Sequence, residues 1–252
     1  INIIGRMETR YMQRCDGIIA CNKYRAEIMH KEYGAPFLPT VVRNVPPFKA
    51  YQPSRALRRF VEQRNTSIRH ICLHQGIIGP GRGMEVVVRS LQHLDKNVGV
   101  VLVGGGDKQY IDQLKHLAES LAVKERFFWH PPVNHDELFP LTCSADIGIV
   151  IYENVSRNNY YCAPNKLYEY AASGLPAVGA DLPPIRDFFE EYRTGELFDV
   201  KDSASLAKAV SLILQDKNVQ EQYRQNSLKA GEIMCWENES ESLTALYEKL
   251  LG

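Results

Sequence analysis

Residues 159–176 read NYYCAPNKLYEYAASGLP, and they decide the fold because they place a short helix between two apolar strands. Pro164 suits the first turn of a helix, and Asn165 can cap the amides that follow it. Gly174 predicts the end of the helix, and Pro176 prevents its return. The apolar run IGIVIY comes before this stretch, and PAVGA follows the helix. The pattern therefore predicts one strand, helix, strand unit.

The same alternation extends in both directions along the chain. Strands are predicted at IRHICLH, VGVVLVG, RFFWHP, IGIVIY, PAVGA and GELFDV. Helices are predicted over residues 83–94, 108–121, 135–143, 165–173, 184–189 and 203–214, and two more over 219–236 and 237–251. Continuous apolar strands between helices are typical of a parallel sheet that is covered on both faces. The predicted fold class is α/β, a doubly wound, Rossmann-like parallel sheet.

The N-terminal segment predicts the tail of a second α/β domain. It is expected to form helix, strand, helix, strand, which is too few strands for an independent sheet. We predict residues 1–50 as the end of an incomplete N-terminal domain, 51–66 as a linker, 67–235 as the sheet domain, and 236–252 as a C-terminal helix that could cross back to the N-terminal domain. Because the chain lacks an initiator Met, we expect it to be a piece of a longer protein.

Composition excludes several classes of protein. Hydrophobic residues make up 44% of the 252 residues and charged residues 24%, which is ordinary for a globular protein. Lys plus Arg and Asp plus Glu both number 30, so overall charge gives no case for nucleic acid binding. The six cysteines are scattered without CxxC or a metal-finger spacing, and we expect a reducing cytoplasm. No signal peptide or membrane-spanning run is evident.

Lys166 and Glu169 share one face of the predicted helix, since they are three residues apart. A helix start carries a partial positive charge of about half a unit and can bind an anion. One interpretation gives phosphates to Lys166 and the helix amides, and two adjacent sugar hydroxyls to Glu169. The alternative is an exposed ion pair that contributes about a few tenths of a kcal/mol. The pair alone leaves both open.

Three other strand ends carry glycines or polar features. HQGIIGPGRGMEVVV follows the first strand of the sheet domain, where Gly76 would let the backbone approach a ligand and Arg82 could hold a phosphate. This spacing matches neither the dinucleotide fingerprint nor the P-loop, and a tight structural turn is the alternative. Gly104 is either a turn or a pocket wall. The backbone near Val133 could meet a base edge.

Arg82 and Lys166 both open a helix just after a parallel strand, so the fold is expected to bring them to one rim of the sheet. Two cations and two helix N-termini at one place predict a ligand with more than one negative charge, such as a pyrophosphate. No Asp-x-Asp pair occurs, which argues against a metal as the group that neutralises it.

Residues 16–247 resemble the C-terminal, donor-binding part of a GT-B fold glycosyltransferase of the large retaining family 4. The resemblance is carried, in order, by CDGIIACN, VVRNVPP, HQGIIGPGRGMEVVVRSL, VLVGGGD, FFWHPPVNHDELFPLTCSADIGIV and NYYCAPNKLYEYAASGLPAVGAD. The motif PNKLYEY resembles the corresponding motif of a bacterial subgroup of the family that acts in surface polysaccharide assembly.

The resemblance implies a nucleoside diphosphate sugar as donor and a saccharide or lipid-linked acceptor, with no cofactor or metal. It implies diphosphate contacts, and so catalytic roles, for Arg82 and Lys166, and a ribose contact for Glu169. The complete predicted donor site is Gly76, Arg82, Gly104, Val133, Asn165, Lys166, Leu167 and Glu169. The acceptor side would lie mostly on the incomplete N-terminal domain, with peripheral membrane contact an open question, so this chain is expected to bind donor but to catalyse poorly.

Two positions depart from the family pattern. Tyr161 stands where many members carry a first glutamate, and Gly76 stands where a second basic residue is common. Alternatives to a transferase are a nucleotide-sugar-binding subunit or half of a split enzyme, and a GT-B type epimerase. A phosphorylase would need a pyridoxal phosphate lysine in a context that is not found, and a dinucleotide oxidoreductase is disfavoured by the glycine spacing.

Overall fold

The computed structural model describes residues 3–252 of the chain, which form two compact units. The larger unit is Lys49–Glu232, and the smaller combines the residues up to Phe48 with Ile233–Gly252. In chain order the elements are α1 (Ile3–Met12), β1 (Ile19–Ala20), α2 (Lys23–Lys31), β2 (Thr40–Val41), α3 (Ala56–Glu62), β3 (His70–Gln75), α4 (Met84–Ser90), β4 (Val98–Val103), α5 (Lys108–Ser120), a 3-10 turn (Lys124–Arg126), β5 (Phe127–His130), α6 (His135–Thr142), β6 (Ile147–Val150), α7 (Arg157–Tyr160), α8 (Asn165–Ala172), β7 (Ala177–Ala180), α9 (Pro183–Tyr192), β8 (Gly195–Phe198), α10 (Ser203–Gln215), α11 (Lys217–Ile233) and α12 (Trp236–Leu251).

The smaller unit joins both ends of the described chain. Strands β1 and β2 pair in parallel, and helix α12 packs near them. The Glu239 carboxylate accepts hydrogen bonds from the backbone N–H of Arg43 at 2.6 Å and from its guanidinium at 3.1 Å. The Trp236 N–H donates to the carbonyl of Pro46 at 2.9 Å. The last helix is therefore part of the same unit as the N-terminal segment.

The larger unit is built on a six-stranded sheet with the order β5-β4-β3-β6-β7-β8, in which every pairing is parallel. Leu73 at the centre lies opposite Val101 on one side and Gly148 on the other. All residues of β4, β6 and β7 are buried, as are five of the six in β3, so helices cover both faces. The predicted doubly wound α/β fold is confirmed.

The elements differ from the sequence predictions at a few places. All six strands of the sheet occur where they were predicted; five are shorter than predicted, and β3 starts two residues later and extends one residue further, to Gln75. The short helix α7 and the 3-10 turn were not predicted. Residues 51–66, predicted as a linker, lie in the larger unit, because Leu57 and Val61 of α3 are buried in it.

Helix α8 ends as predicted, at Gly174. The N–H of Gly174 donates to the carbonyl of Ala171 at 3.0 Å, and the N–H of Leu175 donates to the carbonyl of Tyr170 at 2.9 Å. This pair of bonds is the usual helix stop that needs a left-handed residue, and Gly174 has a φ of +60°. The chain can then enter β7 directly.

No helix within residues 3–252 combines the length and the apolar character needed to cross a membrane.

Gly148 tests how tightly α8 packs on the sheet. A Cβ at this position would lie 2.3 Å from Cδ2 of Tyr170, whose side chain is fully buried. We expect Gly148→Ala to lower the free energy of unfolding by about 1–3 kcal/mol, because neither the strand nor the ring can yield. The measurement is urea unfolding.

The control for this variant is Gly79→Ala, since a Cβ there meets no atom within 4 Å. The control is expected to stay within about 0.5 kcal/mol of the parent chain. Equal stability of the two variants would contradict the packing that we describe for Tyr170.

Candidate functional site

The site lies where the direction of the sheet connections reverses. From β3 the chain runs through α4 to β4 on one side, and from β6 it runs through α8 to β7 on the other. Because β3 and β6 are neighbours, their carboxyl ends open into one crevice, which is where ligands bind in sheets of this type. The loop 76–83 and the segment 151–164 both start there.

Two glycine-rich loops pack against each other beside this crevice. The N–H of Gly76 donates to the carbonyl of Val103, and Ile78 forms a short parallel bridge with Gly106. A Cβ on Gly104 would lie only 1.9 Å from the carbonyl oxygen of Gly76. The Gly104 N–H and carbonyl are already bonded, to the His130 carbonyl and the Trp129 indole N–H. Gly104 therefore packs against the first loop, and its place in the donor site as a pocket wall stays a prediction.

The end of the first loop is held by a carboxylate. The N–H of Gly83 donates to Oε1 of Glu153 at 3.0 Å. Gly83 has a φ of +76°, and a Cβ there would come within 2.5 Å of the Ile151 side chain. Gly83 is the cap residue of α4, a helix of seven residues, and its amide is bonded to Glu153; that the N-terminus of α4 also faces the ligand stays a prediction. The partly exposed Arg82 stands just before this fixed point.

The start of α8 also differs from the sequence prediction. Pro164 occupies the cap position with an extended backbone, and Asn165 is the first helical residue and therefore not the cap. The N–H of Leu167 donates to the carbonyl of Pro164 at 2.9 Å, and the Leu167 side chain belongs to the core. The Leu167 amide is therefore already bonded within the chain, and a ligand contact of Leu167 stays a prediction.

Lys166 reaches from α8 to the first glycine loop. Its Cε lies 3.9 Å from the position of a Cβ on Gly76, and its Nζ lies 4.8 Å from the centre of the Tyr152 ring. Burial lowers the pKa of Lys166 to about 8, and the charge of Arg82 adds to this while Glu169 opposes it. The two predicted cations are thus close enough to repel each other at one rim.

A neutral imidazole lies near these cations. His74 is buried on β3, with Nδ1 3.3 Å from the carbonyl of Ile149. Burial, followed by the charges of Lys166 and Arg82, holds the pKa of His74 well below its usual range. Since the carbonyl can only accept, Nδ1 carries the proton and the ring adds no third positive charge.

Glu169 faces a partner that sequence reasoning missed. Its Oε2 accepts a hydrogen bond from Nε2 of Gln75 at 2.5 Å, and its side chain is half-buried. The alternative of an exposed ion pair with Lys166 does not describe this geometry. The available signal was a polar residue at the end of an otherwise apolar strand, in HICLHQG.

Val133, the remaining predicted site residue, and Tyr161, which departs from the family pattern, lie outside the group formed by Arg82, Lys166 and Glu169. Val133 is half-buried in the loop beyond β5, two strands away from β3. Its neighbour Pro132 lies 3.7 Å from the position of a Cβ on Gly105, so this loop borders the second glycine turn. Tyr161 ends α7, with its ring centre 4.8 Å from that of Tyr160.

The crevice thus brings together Arg82, Lys166 and Glu169 at the end of β3. Two cations suit a multiply charged anion, and a half-buried carboxylate suits neighbouring hydroxyls. Within residues 3–252, no three His, Cys, Asp or Glu side chains are grouped so that they could hold a metal ion.

Comparison with known proteins gives consistent results. The model of the family described as glycosyl transferases group 1 matches residues 61–230. A phosphatidyl-myo-inositol mannosyltransferase from Mycobacterium leprae (strain TN) is 30% identical over 96 residues, which are 35% of this chain and 26% of that protein.

Solved structures share the fold. Anabaena HepE in complex with UDP and glucose superposes with a TM-score of 0.80 at 16% identity, over 97% of this chain and 66% of HepE. Sucrose-phosphate synthase from Thermosynechococcus elongatus gives 0.79 at 18% identity, over 98% of this chain and 61% of the synthase. The chain thus spans less than two thirds of each of these proteins.

The family match covers most of the sheet unit, and the resemblance to a part of the GT-B fold is confirmed. The chain belongs to the group 1 glycosyl transferase family.

Proposed function

We propose that this chain is the donor-binding part of a glycosyltransferase that moves a sugar from a nucleoside diphosphate sugar to an acceptor hydroxyl. The observation that carries the proposal is the convergence of Arg82 and Lys166, with Glu169 beside them, at the crevice between β3 and β6. UDP is bound by HepE, which has the same fold, and this supports a nucleotide as the ligand.

Arg82 and Lys166 would act on the leaving group. When the bond from the sugar to the diphosphate breaks, negative charge grows on the diphosphate, and nearby cations stabilise that charge more than they stabilise the intact donor. We propose that these two side chains supply this stabilisation without a metal ion.

The proposal also covers the acceptor, the stereochemistry of transfer and the cellular location of the reaction. The resemblance to the retaining family supports retention at the sugar carbon, and its bacterial subgroup supports a saccharide or lipid-linked acceptor in surface polysaccharide or glycoconjugate synthesis. We infer a cytoplasmic reaction, at the inner face of the membrane if the acceptor is lipid-linked. The chain of residues 1–252 is expected to bind the donor and to transfer sugar slowly by itself.

The ribose contact is tested by Glu169→Ala. Affinities for UDP, GDP and ADP are measured by titration calorimetry with both chains. For the tightest binder we expect a loss of about 1–3 kcal/mol, because the hydroxyls lose their acceptor. This corresponds to a fall in affinity of about 5- to 150-fold.

The matched control is Glu221→Ala, which removes a carboxylate from the exposed face of α11. Its affinity should equal that of the parent chain. If Glu169→Ala also leaves the affinity unchanged, Glu169 does not contact the nucleotide.

The charge of Lys166 predicts a pH dependence of binding. Its pKa is lowered to about 8, so the free site loses this charge as pH rises through that value. A bound diphosphate favours the charged form and raises the pKa again. Since a terminal phosphate is already ionised above about pH 7, affinity should be near its maximum at pH 7, about half of it at pH 8, and about tenfold or more lower by pH 9.5.

Lys166→Arg serves as the comparison, because a guanidinium stays charged throughout this range. We expect its affinity to show no step between pH 7 and 9.5, measured by calorimetry in the same buffers. A step of equal size in both chains would assign the titration to another group.

The contact of Glu153 with Gly83 predicts an effect on phosphate binding. Glu153→Ala removes the acceptor for the Gly83 amide and loosens the loop next to Arg82. The affinity for the nucleoside diphosphate should fall about fivefold, which is the value of one ordinary hydrogen bond. The affinity for the nucleoside without phosphates should not change.

Glu153→Gln keeps an oxygen that can accept from Gly83, and its affinity should lie near that of the parent chain. An equal loss of affinity in Glu153→Ala and Glu153→Gln would mean that the charge of Glu153, and not its hydrogen bond to Gly83, matters for binding.

A further inference from the structure

Gln75 links Glu169 to Thr142 of α6 through a chain of hydrogen bonds. It is the last residue of β3 and is 2% exposed. Its Oε1 is 2.8 Å from Oγ1 of Thr142 on α6, and its Nε2 is 2.5 Å from Oε2 of Glu169 on α8. The side chain therefore lies between two helices and contacts a group that faces the crevice.

The direction of these bonds follows from the donors that are present. An ionised carboxylate can only accept, so the amide nitrogen must face Glu169. The amide oxygen then faces Thr142 and needs a donor. Oγ1 of Thr142 is also 2.9 Å from the carbonyl of Leu138, so its single hydrogen lies between two acceptors, Gln75 and Leu138. The orientation of the Gln75 amide is thus fixed by the carboxylate of Glu169.

The backbone of Gln75 is fixed as well. Its N–H donates to the hydroxyl of Tyr170 at 3.3 Å, and that hydroxyl donates to the carbonyl of Leu73 at 3.1 Å. Tyr170 is one residue after Glu169 on α8. The end of β3 and the helix that carries Glu169 are therefore joined by two separate contacts, one from the side chain and one from the main chain.

We propose that Gln75 is a positioning residue that sets the preference of the site for ribose over deoxyribose. The proposal rests on the proposed function, in which Glu169 accepts hydrogen bonds from two adjacent ribose hydroxyls. A carboxylate has about four acceptor positions, and Gln75 occupies one of them while fixing the rotation of the group. Because an amide is neutral, it leaves the negative charge of Glu169 intact for the hydroxyls.

A neutral donor in this place differs in effect from a cation or an acid. A lysine or arginine would neutralise Glu169 and weaken its bonds to hydroxyls. A second carboxylate would repel Glu169 when both are ionised, and the two would share one proton at lower pH. That difference between an amide and an acid of nearly the same shape provides the test.

The experiment compares the tightest binder among UDP, GDP and ADP with the 2′-deoxy form of the same nucleotide. Calorimetry gives the ratio of the two affinities for the parent chain, Gln75→Glu and Gln75→Leu, at pH 8 and at pH 5.5. A ratio cancels changes in phosphate binding, which the two ligands share.

We expect the parent chain to prefer the ribonucleotide about tenfold or more at both pH values. Gln75→Leu should bring the ratio below about twofold at both. Gln75→Glu should also bring the ratio below about twofold at pH 8. At pH 5.5 the same variant should regain the preference for the ribonucleotide, because the shared proton lets residue 75 donate a hydrogen bond to Glu169 again. A role in packing alone would not produce this recovery.

The contrary outcomes are distinct. If the parent chain shows no preference, the ribose contact of the proposed function fails and this inference fails with it. If the parent chain prefers ribose and both Gln75 variants do too, only this inference is overturned. A Gln75→Glu chain that binds neither nucleotide at pH 5.5, or that never regains the preference, assigns Gln75 a structural role and also overturns it.

Discussion

The parallel pairing of β3 with β6 is the constraint on which the rest of the larger unit depends. Cys72 and Leu73 pair with Ile147 and Gly148, and the chain leaves these two strands toward opposite edges of the sheet. Right-handed crossovers then place α4 and α8 on opposite faces. The crevice lies between the two strand ends, where these connections diverge. Residues far apart in sequence, such as Arg82 and Lys166, meet there for this topological reason.

Helix α8 can present polar groups to the crevice because its other side is anchored in the core. Leu167, Tyr168 and Tyr170 are buried, and the Tyr170 ring fills the space that Gly148 leaves on β6. The same turns of helix expose part of Lys166 and Glu169 at the rim. The desolvation that lowers the pKa of Lys166 comes from the burial of its own side chain, which lies against Gly76 and the Tyr152 ring. The chemistry of the rim is thus a consequence of how the helix is buried.

The sequence was sufficient for features that depend on local pattern or on topology. Continuous apolar runs predicted the six strands, and parallel alternation predicted that Arg82 and Lys166 converge. It was insufficient for contacts that depend on tertiary placement. Gln75 and Glu169 are 94 positions apart, and Gly83 and Glu153 are 70 apart, so no spacing rule connects them. The cap of α8 was placed one residue late, because Pro164 and not Asn165 holds the non-helical backbone there.

Two cross-crevice contacts explain how repelling cations can stay together. Arg82 and Lys166 disfavour each other's charge, and an unrestrained crevice would widen to separate them. The Glu153 carboxylate ties the loop after β3 to the segment after β6, and Gln75 ties the end of β3 to α8. Both hydrogen bonds connect the β3 side of the crevice with the β6 and α8 side. The spacing of the two cations is therefore set by the fold and not by a ligand. An anion between them would relieve the repulsion without reorganising the protein, which is the arrangement that electrostatic stabilisation of a leaving group requires.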